Sequence, residues 1–325
     1  MTDMGTAAGL WMGAALTLYM LLGMADFGGG IWDLLARGPR GGEQRQLIAR
    51  AMGPVWEVNH VWLIFFAVVL FTAFPTVFAA LATALFLPLH LVLLGIVFRG
   101  SAFVLRTHGP VRSAFSRFWA AAFGVASLIT PFLLGAALAV VVSGGIRSIL
   151  PLVTGLTAVA LSAFLAAAYL AVESPRGEAQ EDFRRRAISS GLITGLAALT
   201  TLLVVGRAVP WLATGLLRNH FLLPAAGVTL LLAALLALDR RSFLLARYAA
   251  GGFAVLLLWS WLLAQWPYLI YPDLTAFNSA APAPTLRFIL RLMPVGLVVL
   301  VPSLALLFYV FKGENPNVPP ARRSI

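Results

Sequence analysis

Residues 150–172 read LPLVTGLTAVALSAFLAAAYLAV, twenty-three residues with no charged side chain. A stretch of that length and composition is long enough to cross the hydrocarbon core of a bilayer as a helix. In lipid every backbone N–H and C=O must find its partner within the chain, so only helices or a closed barrel can cross. The run does not alternate apolar and polar residues with period two, which selects the helix. Outward from it, comparable runs fall at 8–34, 54–77, 79–104, 117–142, 187–206, 212–238, 243–266 and 287–311. With 150–172 they make nine predicted spans. The least marked divisions are at Pro75 and at Arg207-Ala208-Val209-Pro210.

Over 325 residues, 61% are hydrophobic, 11% are charged, and the mean hydropathy is +0.93. A soluble domain carries about 25% charged residues. The chain therefore reads as a single polytopic membrane domain over 1–325, with polar stretches 35–53 and 174–186 as loops. The segment 313–325, with Pro316, Pro319 and Pro320, reads as a disordered cytoplasmic tail. The N-terminus, Met1-Thr2-Asp3, lacks the positive n-region of a cleavable signal.

The net charge of +11 comes from basic residues scattered among the short segments between helices. They gather on no single face, which argues against a nucleic-acid partner. If the N-terminus lies outside, seventeen Lys and Arg fall in inward segments and three, Arg147, Arg207 and Arg218, in outward ones. That asymmetry follows the positive-inside rule and predicts a cytoplasmic C-terminus. Cysteine is absent, which excludes disulfides, iron–sulfur ligation and thiolate zinc sites. No Ser-His-Asp arrangement or phosphate loop is evident, so no catalytic residue and no metal site is expected in this chain.

Ionisable residues at membrane depth are costly and point to function. Four such residues group on the first three spans. Asp26 lies roughly 12 Å from the cytoplasmic end of the first, Glu57 and His60 roughly 5 and 9 Å into the second, and Arg99 roughly 9 Å from the end of the third. They share the cytoplasmic third of the membrane. Glu57 and His60, three residues apart, occupy one helix face. A carboxylate and an imidazole so placed can pass a proton. The other reading is a structural polar knot in which Asp26 and Arg99 pair and Glu57 reaches the interface. The run Gly28-Gly29-Gly30 permits close approach of a neighbouring helix or a cofactor, with helix packing the simpler account. His90 near the midplane suits an interhelical hydrogen bond better than a haem ligand or a relay.

Three segments carry a resemblance: Ala25-Asp26-Phe27-Gly28-Gly29-Gly30, then Gly53-Pro54-Val55-Trp56-Glu57-Val58-Asn59-His60-Val61-Trp62-Leu63-Ile64, then Phe98-Arg99-Gly100-Ser101-Ala102-Phe103. Together they resemble subunit II of the cytochrome bd quinol oxidases, the CydB family, most sharply over residues 20–106. Chain length, nine spans and an outward N-terminus also fit. The resemblance implies an all-α integral membrane protein of about nine transmembrane helices, as two four-helix bundles plus one peripheral helix. It implies a non-haem subunit of a complex that oxidises quinol and reduces O₂ to water, with no complete active site alone. The partner is then a haem-bearing subunit I (CydA-like) carrying haem b and haem d. Small accessory subunits, membrane lipids and, in some members, a quinone held in subunit II belong to the same expectation.

In that family Glu57 matches the usual Asp of the W-D-x-N string, a residue associated with a proton path from the cytoplasm. Asp26 and Arg99 match acidic and basic positions of their helices and join Glu57 and His60 as candidates for that path, while Trp56, Asn59 and Trp62, like Gly28, Gly29 and Gly30, are expected to serve structure and packing. The chain departs from the best-known members at three places. Glu replaces Asp at 57, His replaces Gln at 60, and Ala-Asp-Phe-Gly-Gly-Gly replaces D-G-F-D-x-G. The first change keeps a proton carrier, the last removes one carboxylate, and His60 can compensate. The alternative is a proton-coupled secondary transporter. Its inverted halves predict a second acidic cluster in the later helices, and none is present.

Overall fold

The computed structural model of the protein describes residues 2–108, 114–143 and 148–312; the side chains at 2, 3, 54, 57, 106–108, 114, 308 and 310–312 are outside that description. The predicted tail 313–325 lies outside the described residues. The chain runs through α1 (Thr2–Leu35), α2 (Gly41–Ala73), α3 (Pro75–Ala84), α4 (Phe86–His108), α5 (Ala114–Ser143), α6 (Leu150–Glu173) and α7 (Glu178–Ala208). It continues through α8 (Pro210–Thr214), a π-helical turn Gly215–Asn219, α9 (Leu222–Asp239) and α10 (Phe243–Gln265). A hairpin of β1 (Tyr268–Ile270) and β2 (Leu274–Thr275) precedes α11 (Ala283–Lys312).

Among the described residues, eight helices are long and apolar enough to cross a membrane, and the bent α2 makes nine when taken as one span. Helices α1, α2, α4 and α5 form one bundle and α6, α7, α9 and α10 a second, joined where α1 and α5 lie along α6. Helix α11 sits outside both, against α1 and α2. The most enclosed span is α6 and the least enclosed is α11. Hydroxyls enter this apolar setting by donating to the carbonyl one turn back, as Thr157 does to Val153 at 2.8 Å and Ser162 to Ala158 at 2.7 Å.

Several boundaries differ from the sequence reading. Residues 41–53, expected as loop, are the first turns of α2, which bends by 45° between Gly41–Gly53 and Val58–Ala73. Pro54 falls in that interval, and a proline lacks the N–H that would continue the ladder. The second span stops at Phe74, not at 77, because Pro75 occupies the first turn of α3. Residues 178–186 are the polar start of α7, where Glu178 and Glu181 complement the helix dipole. The segment 212–238 is divided: α8 and the π turn end at His220, leaving Leu222–Asp239 as the spanning part. The hairpin was not foreseen; it pairs Tyr268 with Thr275 and Ile270 with Leu274.

The glycine run explains how α1 joins its neighbours. Consecutive helical residues point about 100° apart, so three glycines open three directions. A Cβ at Gly28 would lie 1.8 Å from the Ser162 carbonyl oxygen of α6, one at Gly29 2.8 Å from Met52 Cγ of α2, and one at Gly30 2.0 Å from Ser127 Oγ of α5. Gly28→Ala is expected to force α1 and α6 apart and destabilise the protein by about 1–3 kcal/mol or more. Gly296→Ala, where a Cβ meets nothing within 4 Å, should be neutral or slightly stabilising. Thermal midpoints in detergent compare them, and equal midpoints would remove the close-packing account.

Candidate functional site

The site lies where α1, α2, α4 and α5 face one another. Asp26 and Arg99 are both buried, at 1% and 2% exposure. Arg99 Nη2 donates to Asp26 Oδ1 at 2.5 Å and to the Asp26 carbonyl at 2.9 Å, and Nη1 donates to Oδ2. Its Nε donates to Ser127 Oγ of α5 at 2.9 Å. Asn59 Nδ2 of α2 adds a donor to Asp26 Oδ2 at 2.8 Å. Phe27 and Phe123 place their ring faces 5.1 and 4.8 Å from the guanidinium carbon, a cation–π contact strengthened by desolvation. Four helices thus converge on one ion pair.

His60 is half-buried on α2, next in sequence to Asn59. Its Nδ1 lies 3.1 Å from the Trp56 carbonyl. A carbonyl only accepts, so Nδ1 carries a proton, and in the neutral ring Nε2 presents a lone pair. Among the described residues that buried Nε2 has no hydrogen-bond partner, and neither do Asn59 Oδ1 and the Tyr19 hydroxyl. Glu57 lies on α2 between Trp56 and Val58, and its side chain is outside the described residues. A narrow cleft runs from Met52, Gly53 and Trp56 on α2, past Phe103, to Asp26 and Arg99 at its floor. It has room for about one water molecule. Trp56 forms one wall, stacked on Phe103 at 6.2 Å and packed on Gly100. Trp62 is buried beside Tyr19, Phe27 and Val58.

The structure therefore brings Asp26 and Arg99 into direct contact and leaves His60 outside the hydrogen-bonded group. It adds Ser127 and gives Asn59 a polar role. Ser127 carried no signal, being one hydroxyl among many in apolar helices. Asp33, buried at 1% exposure, was also missed, although seven residues from Asp26 is the same face of α1 two turns on. Among the described residues His90 makes no interhelical bond. It is exposed on α4, with Nδ1 2.7 Å from the Phe86 carbonyl of its own helix.

A polar ring closes the end of the bundles where α2 and α7 begin. Arg40 pairs with Glu178 and, at 3.0 Å, with Asp182. Gln44 donates to Asp182 at 2.9 Å and accepts from Arg186 at 2.8 Å. Nearby, Arg184 donating to Glu181, with help from Arg185 and the charge of Arg241, holds that carboxyl down at about 2. Among the described residues no three His, Cys, Asp or Glu side chains converge as a metal site would require.

Comparison with known proteins bears on what this geometry belongs to. Residues 4–311 match the family model for cytochrome bd terminal oxidase subunit II. The chain is 25% identical over 328 residues, 92% of each chain, to a Bacillus subtilis (strain 168) protein assigned as a cytochrome bd menaquinol oxidase subunit II. It is 36% identical over 93 residues to the cytochrome bd ubiquinol oxidase subunit 2 of the same organism, which is 28% of this chain and 27% of that protein. Its fold superposes on a chain of the bd oxidase from Geobacillus thermodenitrificans with a TM-score of 0.83, covering 97% of this chain and 100% of that one at 22% identity. With up to nine spans among the described residues, the Trp56–Trp62 string and the Asp26–Arg99 pair in one structure, and a family match from residue 4 to residue 311, the chain belongs to the cytochrome bd terminal oxidase subunit II family.

Proposed function

We propose that this chain is the non-haem subunit of a bd-type quinol oxidase in the bacterial cytoplasmic membrane, with its N-terminus outside and its C-terminus cytoplasmic. It supports a haem-bearing subunit I, which carries haem b and haem d, and it contributes a proton path from the cytoplasm. Reduction of O₂ to two waters consumes four protons and four electrons, and quinol supplies the electrons. The haem chemistry belongs to the partner; the residues of this chain hold and move protons.

Two roles divide among the site residues. Asp26, Arg99, Asn59 and Ser127 clamp the four helices and fix the electrostatics of the cleft. Glu57 and His60, one turn apart on α2, are the proton carriers, and the lone pair on His60 Nε2 is the acceptor. The single observation that supports this reading best is the cleft from the bend of α2 to the ion pair. A transporter is not favoured, because the carboxylates of the later helices, Glu178, Glu181 and Asp182, lie in the polar start of α7 and pair with arginines there.

Purification of the tagged chain from its native membrane tests the assignment. The expected product contains a second, haem-bearing subunit and consumes O₂ when given quinol. A stable haem-free homo-oligomer that takes up a solute would overturn it.

A further inference from the structure

Asn59 Oδ1 and the Tyr19 hydroxyl are buried and have no hydrogen-bond partner among the described residues. This chain alone encloses them, Asn59 at 0% and Tyr19 at 5% exposure. A polar atom left unpaired among apolar side chains is costly, and buried polar groups are as a rule hydrogen-bonded to protein or to internal water.

Both atoms border the Asp26–Arg99 pair. A carboxylate only accepts, so the amide nitrogen of Asn59 faces Asp26, at 2.8 Å. Its Oδ1 is the other end of the amide and needs a donor. Tyr19 precedes Asp26 by seven residues, on the same face of α1 two turns away. Its ring rests on Gly23, which has no side chain to hold it off: a Cβ there would stand 3.3 Å from Tyr19 Cε2 and 3.6 Å from Cζ, the atom that carries the hydroxyl. Gly23 is one turn closer to Asp26, and the phenol is near enough to feel the charges of both Asp26 and Arg99. Tyr19 also shares one cluster with Phe27 of α1 and with Val58 and Trp62, which stand on either side of Asn59 in α2.

We propose that the Tyr19 hydroxyl and Asn59 Oδ1 hold an internal water beside the Asp26–Arg99 pair, and that Tyr19 is a positioning residue of the proton path. The role presupposes the path proposed above and extends it beyond the floor of the cleft, toward the middle of α1. One water suits this place: it gives a hydrogen to Oδ1, accepts the phenolic one, and has its second hydrogen for a lone pair of Asp26. A passing proton arrives on the water oxygen as another leaves it, so Tyr19 and Asn59 keep their charge.

The substitution Y19F removes the hydroxyl and keeps the ring. Electron cryo-microscopy of the complex, at a resolution that shows internal waters, is expected to place one within hydrogen-bond distance of both the Tyr19 hydroxyl and Asn59 Oδ1, and to lose it in Y19F. Quinol-driven O₂ reduction by Y19F is expected to fall about tenfold, the kinetic equivalent of one hydrogen bond. The solvent deuterium isotope effect should rise, with yield and haem content unchanged. A hydroxyl that serves packing alone would move the thermal midpoint and leave rate and isotope effect as they are. That result, or a wild-type map without the water, would overturn the proposal, and the map decides alone if Y19F does not assemble. Glu57→Gln on parallel preparations keeps the two readings apart. A slow Glu57→Gln with a normal Y19F overturns the role of Tyr19 only, whereas normal rates in both overturn the path itself.

Discussion

Arg99→Met is expected to remove most of the assembled protein from the membrane, while Asp26→Asn combined with Arg99→Met restores much of it. Asp26 is buried at 1% exposure and its carboxylate faces Arg99 through both oxygens. Without Arg99, Asn59 is the one remaining side-chain donor among the described residues, and a single amide does not balance a carboxylate in this setting. Breaking a buried pair from one side costs about 3–5 kcal/mol, against a total stability of about 5–15 kcal/mol for a typical domain. Removing both charges leaves an amide beside Asn59 and a thioether of similar volume between Phe27 and Phe123, so the double variant should lose far less. Yield and thermal midpoint of the detergent-solubilised complex measure both. If Arg99→Met alone matches the wild type, the pair does not hold these helices together.

Glu57→Gln is expected to slow quinol-driven O₂ reduction roughly 10²-fold, the lower range for loss of a positioned proton carrier, while yield and haem content of the complex stay unchanged. The amide keeps the shape of the carboxyl and removes its proton chemistry. His60→Gln should act differently, since glutamine is usual at that position in the resembling members. Its expected effect is a smaller loss of rate with a changed pH profile, because His60, whose buried Nε2 has no partner among the described residues, packs on Trp56 of the cleft wall. Rate and proton uptake are measured on the same preparations. Unchanged turnover and unchanged uptake in Glu57→Gln would return the cleft to a purely structural role. The two experiments are separable: Arg99→Met is read in assembly, Glu57→Gln in turnover at constant assembly.

Much of the site was legible in the residues. Asp26 and Arg99 stood out because charge at membrane depth is rare, and the glycine run because three in succession in a helix is costly without a reason. Ser127 and Asp33 were not legible, the first for want of contrast and the second because only its spacing from Asp26 distinguished it. Helix ends were read less well than helices. Apolar content does not mark where Phe74 or His220 interrupts a run, nor that polar residues 41–53 continue as helix.

By itself the sequence determined that the chain crosses a bilayer as helices, about how many times, and which charges cannot face lipid, because hydrocarbon tolerates neither unpaired backbone nor unpaired charge. Only the tertiary structure decided that residues 150–172 form the central helix, that α11 is peripheral, and that Arg99 spends its donors on Asp26 and Ser127. The physical reason is the solvent. In water, burial leaves a polarity pattern on each helix, whereas in lipid the face against a neighbour and the face against acyl chains are both apolar. What separates them is the fit of small side chains between helices, as at Gly28 against Ser162, and that fit exists only once the helices have met.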